Sequence, residues 1–281
     1  MPKNLFPIIF LTVLFFLSGC TQQGGRSGGG TNGLIIESFG PVISEVQPGD
    51  SVDIVAVLKN VGGHEVRDIQ VSLYGLGDWN YVLTSPPPSS LAPADPTGRG
   101  EVETAEVVWT ATAPSYRTGI ENQEFEMVAY YTYSTSAIAY IKVATESYIK
   151  SFPHAEQQNK INELGVKMEK YTDGPISVTF SAPSKIVKAD SRQLRVTINI
   201  QNVGGGSLVN NELDINIVTP GRSNNCNQMR AKLIQGKSKQ ITCLVDVSLG
   251  EGWDNIPVEV HVENYRYKVS ATSSISVSPV V

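Results

Sequence analysis

The side chains able to carry out chemistry are few and widely separated. The 281 residues include three cysteines and three histidines, namely Cys20, Cys226, Cys243, His64, His154 and His261. None of the histidines belongs to an H-x-x-x-H pair or a Cys/His cluster, which a zinc site requires. No G-x-S-x-G, H-E-x-x-H or G-x-x-x-x-G-K-[ST] motif occurs. We therefore predict that the protein is not an enzyme and has no catalytic residues.

Two pairs of acids supply the oxygen ligands that calcium prefers. Asp50 with Asp53, and Glu251 with Asp254, are close in sequence. Neither pair matches the D-x-[DN]-x-[DN]-G loop that gathers several oxygens around one ion. We interpret them as ordinary turn acids and predict no metal and no cofactor.

Cys20 ends the most specific motif in the chain. Lys3 is followed by an apolar segment from Leu5 to Leu17. This segment is too short to span a bilayer as a helix, which takes about 20 residues, and it is typical of a signal peptide. Leu17, Ser18, Gly19 and Cys20 then resemble a lipobox, the signature of prokaryotic lipoproteins. We predict a signal peptide over 1–19 and a covalent lipid on Cys20.

Lipidation of Cys20 leaves Cys226 and Cys243 as an even pair. Disulfides persist in oxidising compartments outside the cytoplasm, and the separation of these two cysteines does not fit a C-x-x-C metal or redox motif. We therefore predict a Cys226–Cys243 disulfide.

One segment contains residues typical of binding surfaces. Trp79 and Tyr81 precede Pro86 to Pro88 and a polar stretch that continues to Gly100. Trp and Tyr often anchor interfaces, and long loops tend to be functional or disordered. Trp79 and Tyr81 are therefore possible binding residues, with the alternative that Trp79 packs in the core beside a solvated loop.

The composition excludes some classes of partner. The formal net charge is −5 and no Lys/Arg cluster occurs, so we expect no nucleic-acid binding and no polybasic membrane surface. Residues 21–33 contain many glycines and no apolar side chain. We interpret 20–33 as a flexible tether between the lipid and the first domain.

An internal repeat predicts the elements that follow. Residues 52–63 match 194–205, and in both copies apolar residues alternate with others before Asn-Val-Gly-Gly. This period of two indicates half-buried strands. A second match, at an offset of 134, pairs Tyr131 and Tyr133 with Tyr265 and Tyr267. Two units of about 110 residues with short strands are typical of the immunoglobulin-like sandwich.

The repeat sets the predicted boundaries. We predict an all-β chain with immunoglobulin-like domains over 34–147 and 175–281, joined by a linker over 148–174. A short helix from Ala155 to Leu164 is expected in the linker, because Pro153 opens it and Gly165 closes it. Residues 134–136 and 268–270 are expected to form hairpin connections between the last two strands of each unit.

The Asn-x-Gly strand ends resemble those of a known family. The pattern from Leu58 to Gly63, followed by a strand ending at Leu73-Tyr74, is similar to CARDB-type domains of archaeal and bacterial surface proteins. The second copy has the glycines but lacks the Leu-Tyr ending. The resemblance implies a spacer, adhesion or accessory role, and it implies no catalytic residues.

These observations predict an extracytoplasmic protein anchored to the cell membrane by its lipid. The first hypothesis is a surface spacer, adhesion or protein-interaction module. The second is an accessory subunit of an envelope complex such as a pilus, S-layer or transporter, which would dock through the segment from Trp79 to Gly100. A third is a carbohydrate-binding module that uses exposed aromatic residues.

Overall fold

The computed structural model describes residues 32–95, 102–115, 121–171, 173–188, 190–249 and 252–278. The predicted signal peptide, the lipobox residues Leu17, Ser18 and Gly19, the lipidation site Cys20 and the tether up to Thr31 lie outside the described residues. Among the described helices, none is long and apolar enough to cross a membrane.

The described chain is almost entirely β-structure with two short helices. In chain order, the elements are β1 (Leu34–Pro41), β2 (Glu45–Val46), β3 (Ser51–Asn60), β4 (Val66–Tyr74), β5 (Asn80–Ser85), β6 (Ser90–Leu91), β7 (Thr104–Thr112), β8 (Glu121–Thr145), α1 (Glu146–Lys150), α2 (His154–Asn162), β9 (Gly165–Tyr171), β10 (Ile176–Ser181), β11 (Ile186–Val187), β12 (Gln193–Asn202), β13 (Ser207–Leu208), β14 (Glu212–Val218), β15 (Gln228–Lys232), β16 (Ser238–Asp246) and β17 (Trp253–Val277).

The strands form three sheets around one continuous core. The first-repeat sheet has the order β1-β3-β7-β5, and the second-repeat sheet has the order β10-β12-β16. A ten-stranded shared sheet follows β15-β14-β17-β8-β4-β6, with β2, β9, β11 and β13 beside these strands. Most buried apolar side chains of all three sheets belong to one cluster, while Ala144 of β8 packs with Ile149 and Leu164 in a smaller one. The prediction of an all-β, sandwich-like fold is confirmed.

The repeated strands β3 and β12 have the predicted alternation. Their inward side chains are buried in both copies, namely Val52, Ile54, Ala56 and Leu58 in β3 and Leu194, Val196, Ile198 and Ile200 in β12. Burial of one such side chain stabilises the fold by about 1.5–3 kcal/mol relative to leaving it exposed.

The last strand of each repeat is much longer than predicted. β8 and β17 are each 25 residues long, so the hairpin connections predicted at residues 134–136 and 268–270 are wrong. Neither segment contains the Gly or Asn that a tight hairpin turn needs for its positive φ angles. The alternation instead continues through Tyr133, Thr135 and Ala137, which are all buried.

β8 and β17 pair antiparallel along nearly their whole length, from Ala144 opposite Trp253 to Glu121 opposite Val277. The first part of β8 also pairs with β4, and the first part of β17 pairs with β14. The ladder is interrupted between Val262 and Tyr265, where Asn264 has a φ of 48°. Both repeats therefore build one shared sheet through their longest strands.

The predicted linker contains more structure than one helix. The expected helix is present as α2, preceded by α1, whose first turn is capped by the side chain of Thr145. After Gly165, whose φ is 119°, the chain forms β9, which pairs antiparallel with β8 from Ala137 to Lys142. β9 therefore extends the shared sheet beside the second-repeat sheet.

Candidate functional site

The predicted disulfide is confirmed. Cys226 and Cys243 are bonded, with their Cα atoms 5.7 Å apart. Cys243 lies in β16, and the segment before β15 follows the outer edge of that strand. The amide of Asn225 donates to the carbonyl of Leu244 at 3.3 Å, and the Leu244 amide donates to Asn225 Oδ1 at 2.8 Å. The disulfide thus fixes this segment where the first repeat has β5 beside β7.

Trp79 is a core residue and not an exposed anchor. Only 5% of its surface is accessible, and it packs within the main hydrophobic cluster. A binding role for Trp79 through an exposed indole ring is therefore wrong, because a partner cannot reach the ring. In the loop that follows, Leu91 of β6 is also buried. Residues 96–100 lie outside the described residues.

Tyr81 lies on an exposed apolar edge. It belongs to β5, the last strand of the first-repeat sheet, and its hydroxyl donates to the carbonyl of Leu73 at 3.1 Å. Tyr81 is 46% exposed and the neighbouring Val82 is 60% exposed, with Leu83 beside them also exposed. Edge strands with apolar side chains favour pairing with another chain, so the β5 edge is a candidate interaction surface.

A second candidate surface is an apolar groove of about 260 Å³ between β9 and β10. β9 is an edge of the shared sheet, and β10 is an edge of the second-repeat sheet. The groove lies where these two edges face each other. Its apolar lining includes Ala137, Met168, Tyr171, Ile176, Val178 and Val203.

The residues that open this groove were not recognised in the sequence. Met168 and Tyr171 are both exposed. They fall within residues 148–174, for which the sequence predicts a linker and not a strand. The signal was present, because Val166 and Met168 alternate with Lys167 and Glu169, which is the period of a strand. Such a groove has room for apolar side chains of an extended segment, and the strand edges beside it offer backbone hydrogen bonds.

Four tyrosines form a buried cluster at the midpoint of the long ladder. Tyr133 lies opposite Tyr265, and the rings of Tyr131 and Tyr267 are 5.7 Å apart. The Tyr133 hydroxyl donates to the carbonyl of Asp173 at 2.6 Å and accepts from the amide of His64 at 2.9 Å. This cluster joins residues of both repeats.

The Asn-x-Gly motif of each repeat contacts this cluster. Asn60 is fully buried, and its Oδ1 accepts from the amide of Gly62 at 3.1 Å. In the second copy, Asn202 Oδ1 accepts from the Gly204 amide at 3.2 Å and from the Tyr267 hydroxyl at 2.7 Å. A Cβ at Gly62 would lie 2.2 Å from the Tyr133 hydroxyl, so only glycine fits there.

Burial controls the ionisation of these tyrosines. It is the largest cause that raises the pKa of Tyr131, Tyr133, Tyr265 and Tyr267 above the ordinary value. The Thr135 hydroxyl at 2.8 Å from the Tyr265 hydroxyl acts in the opposite direction on the pKa of Tyr265, but more weakly. The hydroxyls therefore stay protonated, and those of Tyr133, Tyr265 and Tyr267 act as hydrogen-bond groups.

The acids considered as calcium ligands have structural partners. Asp50 Oδ2 accepts from the amide of Gln47 at 3.0 Å, and Asp53 Oδ1 accepts from Thr110 Oγ1 at 2.7 Å. Asp254 forms an ion pair with Arg222, while Glu251 is outside the described residues. Within the described part of the chain, no group of three or more His, Cys, Asp or Glu side chains is placed to hold a metal.

Comparison with known proteins gives no family assignment. No family model and no curated protein matches the chain. The secreted serine protease VesC from Vibrio cholerae is similar over 86% of this chain and 50% of its own length, with a TM-score of 0.23 and 10% identity. The collagen adhesin of S. aureus is similar over 87% of this chain and 92% of its own, with a TM-score of 0.12 and 7% identity. Both TM-scores are too low to carry an argument.

Proposed function

We propose that the protein is a lipoprotein anchored outside the cytoplasm, which acts as a non-enzymatic spacer, adhesion or protein-interaction module. Its repeats would be two tandem immunoglobulin-like sandwiches. The observation that carries this proposal is the β8–β17 ladder, because both repeats contribute a 25-residue strand to one sheet. A pair of modules joined in this way suits a rigid support better than a flexible string of domains.

The anchoring part of the proposal depends on Cys20. Cells supplied with a labelled fatty acid should incorporate the label into the wild-type chain and not into Cys20→Ser. The matched control is Cys226→Ala/Cys243→Ala, which should incorporate the label as the wild type does. Label retained by Cys20→Ser would contradict lipid attachment at this residue.

The rigid-support part has an independent test. Glu106 of β7 and Gln240 of β16 are both exposed and lie on opposite repeats, so each can be replaced by a spin-labelled cysteine. We expect one narrow distribution of distances between the two labels in full-length protein. A broad or bimodal distribution would indicate that the repeats move independently, and it would contradict the spacer function.

A second candidate function is an accessory subunit of an envelope complex. The exposed apolar β5 edge, with Tyr81, Val82 and Leu83, favours it. Crosslinking in intact cells should then recover one defined partner, and Val82→Lys should abolish the crosslink while Val218→Lys, at an exposed site on β14, leaves it. Equal recovery with both variants would contradict docking through β5.

A further inference from the structure

The two repeats differ at one position in the shared sheet. β9 pairs with β8 from Ala137 to Lys142. The repeat offset of 134 residues places this stretch at residues 271–276 of β17. There, only the end of the strand is paired on its outer side, by β2 at Ser276 and Val277. The first repeat therefore lacks a described counterpart of β9.

The unpaired stretch presents backbone groups to solvent. The Ser276 amide donates outward to the carbonyl of Ser44, and the Arg266 carbonyl accepts from the outer amide of Val209. Along an antiparallel strand, the backbone N–H and C=O groups of every second residue point to the same side. The backbone groups of Ser270, Thr272 and Ser274 therefore point away from β8, as those of Arg266 and Ser276 do. Among the described residues, none pairs with these three, whose side chains are also exposed. We name them the β17 edge.

β1 does not pair with β17 in the position that β9 has beside β8. It is hydrogen-bonded to β3 in the first-repeat sheet, and it passes close to β17 without pairing with it. A Cβ at Gly40 would lie 3.0 Å from Ser273 Oγ, so the two sheets meet closely on the inner side of β17. This contact closes the interior but leaves the lateral hydrogen-bonding groups of the β17 edge exposed.

The charges beside the β17 edge favour a basic partner. Thr272 lies opposite Glu126 and Ser274 lies opposite Glu124 on β8. Lys268 lies two residues before Ser270, the first residue of the β17 edge. Adjacent strands are about 4.8 Å apart, and long lysine side chains can extend over short neighbours. A strand paired to the β17 edge could therefore place lysines across Thr272 and Ser274 toward the two carboxylates.

β9 itself has this arrangement. Its Lys170 lies opposite Ile138, whose partner on the other side is Glu259 of β17. A register shift in the pairing of β9 brings Lys167 to the next position on the same face, opposite Tyr140, whose partner on β17 is Pro257. At the β17 edge, the corresponding row across three strands would consist of a lysine of the partner, Thr272 of β17 and Glu126 of β8. β9 thus provides a template for the direction of an added strand and, at Lys170, for its charge.

We propose that the β17 edge binds an extended segment of a partner protein as an antiparallel strand, with lysine or arginine at alternate outward positions. This deepens the protein-interaction function proposed above and rests on it. The Gly-rich residues 22–31 of the chain itself are a weaker candidate, because glycine is a poor strand former. A second copy is disfavoured because its own β17 edge presents Ser270, Thr272 and Ser274, which give Glu124 and Glu126 no cation to pair with.

The test uses the full-length chain in detergent micelles and a labelled peptide with the sequence of residues 165–171. We expect binding that protects the amides of residues 269–275 from hydrogen exchange. Thr272→Pro removes one outward amide without breaking a hydrogen bond to β8, and it should weaken binding by about tenfold. An unchanged melting temperature verifies that this variant is folded.

Charge reversal provides the matched control. A peptide with glutamate in place of Lys167 and Lys170 should bind the wild-type chain about tenfold more weakly. Glu124→Lys/Glu126→Lys should reverse that preference, whereas Glu212→Lys, remote on β14, should not. These variants change only side chains on the solvent-facing side of the sheet, so they remain informative if Thr272→Pro misfolds.

Three results would overturn the proposal. The first is equal binding of both peptides, and the second is protection at residues 137–142 instead of 269–275, which would mean exchange with β9. The third is slow hydrogen exchange at the β17 edge in the free chain, which would mean that the edge is already occupied. Sedimentation would show whether a dimer occupies it, and deletion of residues 22–31 would show whether this segment does. Failure of any of these tests would leave the lipid-labelling and spin-label results unaffected.

Discussion

At the scale of single residues, hydroxyl and amide groups at the midpoint of the long ladder hold both repeats together. Tyr133 connects His64 of the first repeat with Asp173, just before the second. Tyr267 accepts from the Gly206 amide as Tyr133 accepts from the His64 amide, but it donates to Asn202 within its own repeat. Buried polar groups of this kind stabilise a fold only while each has its partner, since an unpaired one loses its hydration without compensation.

Tyr133→Phe is expected to lower the free energy of unfolding by about 1–3 kcal/mol, because the His64 amide and the Asp173 carbonyl lose a buried partner. Urea unfolding followed by circular dichroism measures the change. Tyr171→Phe is the matched control, since Tyr171 is exposed, and it should stay close to the wild type. Equal effects of the two variants would contradict the role assigned to Tyr133.

Stability should also fall at alkaline pH. Burial raises the pKa of Tyr265 above its ordinary value, so above about pH 10 the unfolded chain releases a proton that the folded chain keeps. This contribution is fully present below about pH 10 and is lost as the pH rises toward the raised pKa. Urea unfolding between about pH 8 and 11 should show the decline, and it should be shallower in Tyr265→Phe. An equal slope in this variant would contradict the assignment.

At the scale of elements, β7 and β16 have different neighbours on their outer edges. β5 pairs with β7 in the first repeat. In the second, the disulfide and the residues around Asn225 cover β16, and one isolated bridge joins Asn224 to Val245. A covalent link thus takes the place of a strand, which explains why only the second repeat contains two cysteines.

Cys226→Ala/Cys243→Ala should lower the free energy of unfolding by about 3 kcal/mol, the value expected for a loop of this size. Hydrogen exchange should increase most at residues 223–226, which would lose their attachment to β16. Reduction of the wild-type chain should reproduce both effects. Unchanged exchange in this segment would indicate that its hydrogen bonds alone hold it in place.

The sequence predicted short-range features of the elements better than their extent. Alternation identified β3 and β12, and cysteine number identified the disulfide. The 25-residue strands were missed although the alternation continues through Thr135 and Val269, because only a partner strand determines how far a strand continues. The burial of Trp79 depends on contacts between sheets, and β9 becomes recognisable as an edge strand only once β8 lies beside it.

At the scale of the whole molecule, the shared sheet links the stability of the two repeats. β8 and β17 each pair with strands of both repeats, and the buried side chains form one main cluster. Loss of structure in one repeat would therefore leave half of each long strand without neighbours. The molecule should behave as one cooperative unit.

Calorimetry should accordingly give one unfolding transition. Leu58→Ala and Ile200→Ala occupy equivalent positions in the two repeats, and both wild-type side chains are fully buried. Each change should destabilise the chain by about 2–5 kcal/mol and move the single transition to lower temperature. Two separate transitions, of which each variant moves only one, would contradict the cooperative unit.

The position of Asn32 and Gly33 has a mechanical consequence. Asn32 Oδ1 accepts from the Gly205 amide at 2.9 Å, and the Gly33 carbonyl accepts from the Val61 amide at 2.9 Å, beside the Tyr133 ring. The chain thus enters the molecule at the middle of a ladder that extends about 40 Å to either side, at about 3.3 Å per residue. If the proposed lipid on Cys20 holds the molecule through this segment, the two ends of the ladder lie at equal distances from the attachment and would move through equal arcs around it.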